Sequence, residues 1–253
     1  MMTRRIVPIL LLSDRKIVKT IKFKEPKYIG DPINIVRIFN DKEVDELMLI
    51  DIDASIQKKS PQFDYIAEVV SEAFIPMTYG GGVTTLEDVR KLLTIGVEKI
   101  SINTQTWVDL ELIAKASKEF GAQSVVAGID INQNFFKQKQ IYNKTLNQNL
   151  KNSLAERVRQ MVDAGAGEIF LQFAYLDGTM QGLNQEMIRE ICAECPVPVV
   201  VSGGVGQSAD IKSAFQSGAS AVAAGSLFVY HGPHKAVLIN YPSRQEIKNL
   251  ISN

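Results

Sequence analysis

Two pairs of short stretches carry residues of the kind that hold phosphate. "TYGGGV" (78–83) is followed by "SINT" (101–104), and "VSGGVG" (201–206) by "AAGS" (223–226), at nearly equal separation. In each pair glycines stand where one apolar run ends, and a small hydroxyl or amide residue stands where the next one ends. The second run closes on Asn103 and Thr104 in the first pair, and on Gly225 followed by the hydroxyl residue Ser226 in the second. Glycines let backbone N–H groups converge into a nest, and such nests, like helix N-termini, favour anions. Glycines also turn corners with no ligand at all, and a single "GGG" says no more than that. Repetition in register points to phosphate, and two nests on opposite sides of one opening point to a substrate with a phosphate at each end.

Other reactive residues are sparse. Cys192 and Cys195, in "CAEC", have redox spacing but fall late in an expected helix. Thioredoxin-type pairs open a helix, where its dipole lowers a thiol pKa, so these two are read as packing cysteines. His231 and His234 flank "GP" with no cysteine or paired carboxylate nearby, and no metal site is expected. The apolar run that opens "RRIVPILLLSDRKIVKT" (4–20) ends on Leu10, Leu11 and Leu12, where an α/β barrel usually delivers a working polar residue to its active face.

The elements that must position these residues alternate. β-branched runs near 5–11, 47–51, 76–79, 98–102, 124–130, 168–172, 197–202 and 220–224 are separated by amphipathic segments near 33–43, 61–73, 86–95, 108–119, 150–164, 185–194, 208–217 and 244–251. Eight strand–helix units in 253 residues, with no Pro/Gly/Ser-rich linker, predict a single (β/α)8 TIM barrel over 1–253. The echo of the glycine stretches predicts two half-barrels, about 1–122 and 123–253. The longest irregular stretches, 12–32, 131–149 and 227–243, belong to the C-terminal face, where long loops are usually functional. Lys plus Arg equals Asp plus Glu at 28 each, so apart from local patches the charge predicts neither nucleic acid nor an anionic membrane as partner. The apolar start is too short to span a membrane and lacks a small-residue cleavage site, which predicts a cytoplasmic protein.

A family resemblance rests on motifs spread over nearly the whole chain. "GDP" (30–32), "DELMLIDIDAS" (45–55), "YGGGV" (79–83), "EKISINT" (98–104), "VVAGID" (125–130), "GAGEIF" (165–170), "DGTMQG" (177–182), "SGGVG" (202–206) and "AAGSLF" (223–228) resemble, in order, HisF, the cyclase subunit of imidazole glycerol phosphate synthase. The resemblance implies a (β/α)8 barrel that receives ammonia from a HisH-like glutaminase docked on the N-terminal face and acts on a ribonucleotide with two phosphates. It implies no cofactor. It places one phosphate site on Gly82, Asn103 and Thr104, and the other on Gly178, Gly204, Gly225 and Ser226. Lys19 matches a lysine near the substrate. Arg5, Glu46, Lys99 and Glu168 match the quartet that closes the ammonia entrance.

One match fails. The resemblance implies catalytic aspartates at the ends of strands 1 and 5; the second is Asp130, but the first position is Leu11. A positioned acid or base contributes on the order of 10²–10⁴ in rate, and leucine can supply neither. Asp14, three residues on, matches a separate position of the family. Phe173, Tyr175 and Leu176 also stand where the family more often has polar residues. Together with "VPILLL", "VKTIKFKEPKYIGDPINIVRIFN" and "HKAVLINYP", this is similar to a HisF-like branch found with surface-polysaccharide (LPS O-antigen) genes. That branch implies a barrel that handles ammonia for an acetamido-to-acetamidino change on a nucleotide-sugar substrate, made by a separate amidotransferase. Two alternatives stand beside it. One is a genuine cyclase of histidine biosynthesis, a lyase in which Asp130, helped by Asp51, does the chemistry. The other is a non-catalytic binder of a phosphorylated ligand that activates the glutaminase.

Overall fold

Eight apolar runs pair in parallel around a closed circle. The computed structural model describes residues 4–150 and 153–251. The barrel strands are β1 (Arg5–Ser13), β2 (Leu47–Asp51), β3 (Met77–Gly80), β4 (Lys99–Ile102), β5 (Val125–Gln133), β6 (Glu168–Phe173), β7 (Val199–Ser202) and β8 (Ala221–Ala224). Each pairs with the next, and β8 returns to β1 with Ala221 opposite Arg5, so no edge is left open. This is the expected (β/α)8 barrel.

Strand alternation divides the apolar residues into two cores. Leu10, Leu12, Leu47 and Leu49 face outward and pack under the helices, with Phe39 and Phe215 among the fully buried side chains there. Val7, Ile9, Leu11, Met48, Val126, Phe170 and Val200 fill the lumen. Period two along a strand is what sends neighbours to opposite faces.

The helices are α1 (Pro32–Asp41), α2 (Phe63–Ser71), α3 (Leu86–Ile95), α4 (Glu111–Phe120), α5 (Leu154–Asp163), α6 (Gln185–Glu194), α7 (Ser208–Gln216), the single turn α8 (Ser226–Val229) and α9 (Arg244–Ile251). Local chemistry sets their ends. Thr85 and Asp88 form a reciprocal capping box on α3, and Gly96 stops it in a left-handed conformation. Asp31 caps α1 with Pro32 at its first position. Residues 151 and 152, inside the helix expected near 150–164, lie outside the described residues. The helix expected near 108–119 starts later, because a 3₁₀ turn at Thr104–Trp107 precedes it.

Two of the stretches expected to be irregular are ordered ribbons. Residues 12–32 hold an antiparallel pair, Lys16–Ile21 with Lys24–Gly30, hung from β1 through Leu11 opposite Val18. Residues 131–149 continue β5, which folds back as Lys139–Asn143 and then Gln148–Leu150. Both turns of the first ribbon have positive φ at two successive residues, Asp14–Arg15 and Lys22–Phe23. Such turns match strand twist, but they are usually announced by Asn-Gly or Asp-Gly. Neither dipeptide stands here, so the hairpin has no turn signal in the sequence. The third stretch holds only α8 and a two-residue pairing, Tyr230–His231 with Ala236–Val237.

Candidate functional site

At the N-terminal end of the lumen four charges meet. Arg5 opens β1, Lys99 opens β4, Glu168 opens β6 and Glu46 immediately precedes β2. Arg5 bonds both Glu46 and Glu168. Lys99 Nζ reaches the same two carboxylates at 2.9 and 3.1 Å. The result is an alternating ring across the lumen, with Thr78 donating its hydroxyl to the free oxygen of Glu46 at 2.7 Å. Glu46 and Glu168 are buried. Burial lowers the Arg5 pKa, but the charges of Glu168 and Glu46 outweigh it and the net shift is upward. Two basic and two acidic side chains give the ring a formal charge of zero.

Above the ring the lumen is mostly apolar, with the buried Ser101 and Ser202 on the strand faces that carry Lys99 and Val200. Val7, Met48, Val126, Phe170, Val200 and Ala221 form the wall, followed by Leu11 and Ile50 nearer the mouth. An ion entering this section loses its hydration with no partner in return, and the cost of that loss is far smaller for a small neutral molecule.

The mouth opens into a cavity of about 630 Å³ lined by Leu11, Ile50, Phe170, Asn103, Asp130 and Gln172 among others. Leu11 is 5% exposed. Asp130 faces it from β5 and accepts a 3.0 Å hydrogen bond from Asn103 Nδ2. Gly128 makes this possible, since a Cβ there would lie 3.0 Å from the Asn103 Cβ. Burial pushes the Asp130 carboxyl up to about 7, Asn103 pulling it down and the charge of Asp177 adding to the rise. A carboxyl poised near neutrality can both give and take a proton.

Lys19 and Asp51 sit differently. Lys19 is 4% exposed on the β1 ribbon, and burial lowers its pKa against the pull of Asp177. Its Nζ lies over Gly225, where a Cβ would come within 1.9 Å. Asp51 lines the cavity, but its Oδ1 accepts from the backbone N–H of Asp53 and of Ala54, both at 2.9 Å. Burial raises the Asp51 pKa and these two bonds oppose it. They make Asp51 the anchor of the loop after β2.

The two glycine nests differ in access. Gly82, Asn103 and Thr104 line the cavity. Gly82 has φ +69°, and a Cβ would meet Lys59 O at 2.5 Å. Gly204, Gly225 and Ser226 gather at the ends of β7 and β8, where the chain's own loops crowd them. Gly204 O accepts from Gly182 N at 2.8 Å, and Gly178 is pressed against Thr20 O.

Asp177 carries more of the site than its sequence context suggests. It is buried, accepts from Thr20 Oγ1 at 2.7 Å, and bears electrostatically on both Lys19 and Asp130. The available signal was "LDGT", an aspartate directly before a positive-φ glycine. Of the apolar residues at and beyond the end of β6, Phe173 packs in the outer core rather than at the mouth. Tyr175 lies under the Lys139 ammonium at 4.2 Å, and Leu176 abuts Gly204.

Burial, with Cys195 adding, pushes the Cys192 thiol up to about 12, which suits a packing role. Among the described residues no group of three or more His, Cys, Asp or Glu side chains could hold a metal ion. Nor is any described helix long and apolar enough to cross a membrane.

Comparison with known proteins is consistent with this geometry. A family model described as "Histidine biosynthesis protein" matches residues 5–235. The chain is 49% identical over 243 residues to a Pseudomonas aeruginosa protein named "Putative imidazole glycerol phosphate synthase subunit hisF2", covering 96% of this chain and 97% of that one. It is 42% identical over 250 residues to a Leptospira interrogans protein named "Putative imidazole glycerol phosphate synthase subunit HisF", with 97% and 98% covered. Identity is 34% over 252 residues to the Natranaerobius thermophilus "Imidazole glycerol phosphate synthase subunit HisF", with 98% and 99% covered. With a closed eight-stranded barrel, and relatives matched from end to end, this chain belongs to the histidine biosynthesis protein family and is a HisF-like member of it.

Proposed function

We propose that this HisF-like subunit takes ammonia from a glutaminase seated on its N-terminal face and conducts it through the lumen to the mouth. There it serves the conversion of an acetamido to an acetamidino group on a sugar destined for surface polysaccharide. The observation that carries this reading is Leu11. It closes the strand 1 end with an apolar side chain, while the neutral four-charge ring and the apolar lumen below it suit passage of uncharged ammonia. A barrel that conducts ammonia to a separate amidating enzyme has no use for a second proton-transfer carboxylate.

In this reading the ring excludes water when closed and opens for ammonia. Asp130, held by Asn103, protonates or deprotonates what arrives at the mouth. The nest of Gly82, Asn103 and Thr104 holds a phosphate of the ligand, with Lys19 supplying positive charge from the opposite side.

A second reading has its own support. The relatives' names all give an imidazole glycerol phosphate synthase subunit, and Asp130 with its carboxyl near 7 suits a cyclase acid or base. The deciding experiment is complementation of a histidine auxotroph lacking its HisF. The first reading expects no growth; growth on minimal medium would establish the cyclase instead.

A further inference from the structure

Among the described residues eleven large hydrophobic side chains are exposed, and nine of them stand on connections that leave the C-terminal ends of the strands. They come from five separate places: the β1 ribbon, the loops after β2, β4 and β8, and the β5 ribbon. The extreme case is the tip of the β5 ribbon, where Phe135 is 95% and Phe136 is 79% exposed and the two rings meet edge to face, 5.7 Å apart. Scattered exposed hydrophobics are ordinary, but a concentration around one opening marks an interaction site.

Charge gathers in the same place. Four of these five places, the segments 21–28, 56–59, 135–146 and 231–238, hold nine lysines and one acidic residue, Glu25, in a chain whose overall charge is zero; the fifth, beside Val108, carries Asp109. Among the described residues none of these nine lysines is in an ion pair. The rim and the cavity are continuous, because Phe23, Ile56, Lys58, Val108, Lys144 and Leu146 line the cavity itself. Unpaired cations interleaved with apolar side chains fit a partner whose face is acidic and partly apolar.

We propose that this lysine- and apolar-rimmed mouth is the docking surface of a second enzyme, which presents an acidic, partly apolar face over the cavity and takes ammonia there. The inference rests on the reading that ammonia leaves the barrel at the mouth. Ammonia released into an open cavity is lost to solvent; a protein seated on the rim closes it. A bilayer laid across the loop tips leaves the concave cavity filled with water and brings no acceptor to it, so the geometry favours a protein.

The test places a photo-crosslinking phenylalanine analogue at position 135, and separately at 237, of the full chain in its own cell with its glutaminase present. Both positions are expected to capture the same soluble enzyme. With that enzyme purified, Phe135→Ser/Phe136→Ser/Lys137→Glu should lower glutamine-driven product by about tenfold at limiting concentration. Product driven by ammonium salt, and the glutaminase rate, should not change. Adducts only with lipid, nucleic acid or a second copy overturn the proposal, as does no adduct at either position, or full glutamine-driven product in the triple variant. So does binding of the wild-type chain to phosphatidylcholine vesicles holding about a third phosphatidylserine. Lys99→Ala runs alongside to separate the two readings. If it keeps full glutamine-driven product while the triple variant loses it, the conduit fails and the docking surface stands; the reverse pattern sinks the surface alone.

Discussion

Leu11 and Asp130 show how far single residues decide chemistry on a shared scaffold. Both stand near the C-terminal ends of barrel strands and both line the same cavity, yet only one can move a proton. Leu11→Asp is expected to yield little cyclase turnover with ammonium as nitrogen source, because a catalytic carboxylate needs a shell that holds it within fractions of an ångström. Around position 11 that shell is Val18, Ile9 and Ile50. Substantial turnover of the histidine-pathway intermediate by this variant would show that the mouth still keeps cyclase geometry. Asp130 makes a different prediction. Its folded carboxyl, near 7, lies above the value of about 3.9 expected in an unfolded chain. The native state therefore binds this proton more tightly. The associated stability is complete below about pH 3.9 and is lost as pH rises toward 7. Asp130→Asn keeps an oxygen for Asn103 and removes the charge, so its melting temperature should exceed that of the wild type at pH 8 and match it near pH 4. Calorimetry at the two pH values checks this, and a constant difference would remove titration of Asp130 as the cause.

The elements were legible where period and caps agreed. Strand alternation placed all eight barrel strands within two or three residues, and Thr85–Asp88 with Gly96 announced both ends of α3. The ribbons were not legible, since the turns of the first hold Asp14, Arg15, Lys22 and Phe23, and those of the second Lys137 and Asn147, at positive φ with no glycine, and tertiary support overrides the local preference. Asp177 escaped for a related reason: its partners Thr20 and Lys19 lie on the unrecognised ribbon, more than 150 residues away in sequence. Two predictions belong to this scale. Gly178→Ala would push a Cβ into Thr20 O, at 2.2 Å, from a left-handed conformation. It should displace the β1 ribbon, seen as faster hydrogen exchange over residues 17–29 with the barrel strands unchanged. At the other end, Lys99→Ala leaves Arg5 as the sole counter-charge to Glu46 and Glu168. Breaking a buried pair costs on the order of 3–5 kcal/mol, but the barrel should stay folded. Glutamine hydrolysis should then run without matching amidated product; full coupling in this variant would reduce the ring to structural charge.

On the scale of the whole molecule the barrel separates two faces with different work, and sequence order alone dictates which residue lies on which. Residues opening strands belong to the N-terminal face and residues closing them to the mouth. That rule puts Arg5, Lys99 and Glu168 on one side and Asn103, Asp130 and Ser226 on the other. It also singles out Phe74. This ring lies between α2 and β3, hence on the N-terminal side, and is 87% exposed. Its backbone N–H donates to Asn40 Oδ1 at 3.1 Å, and Asn40 also bonds the carbonyl of Glu72, so the segment that carries the ring is tied down. Glu72 is tied in turn by two hydrogen bonds from Arg37 at 2.7 and 2.9 Å. A ring presented on a fixed backbone has less conformational freedom to lose on association, and aromatic side chains of this kind anchor interfaces. If a glutaminase covers the entrance at Arg5, Glu46, Lys99 and Glu168, Phe74 is placed to be one of its anchors. Phe74→Ser should weaken that association by about tenfold in titration calorimetry, while the melting temperature of the isolated chain stays unchanged because the ring packs against little of its own fold. Glutaminase affinity unaffected by Phe74→Ser, with Lys99→Ala still uncoupled, would place the partner over the ring but away from the α2–β3 connection.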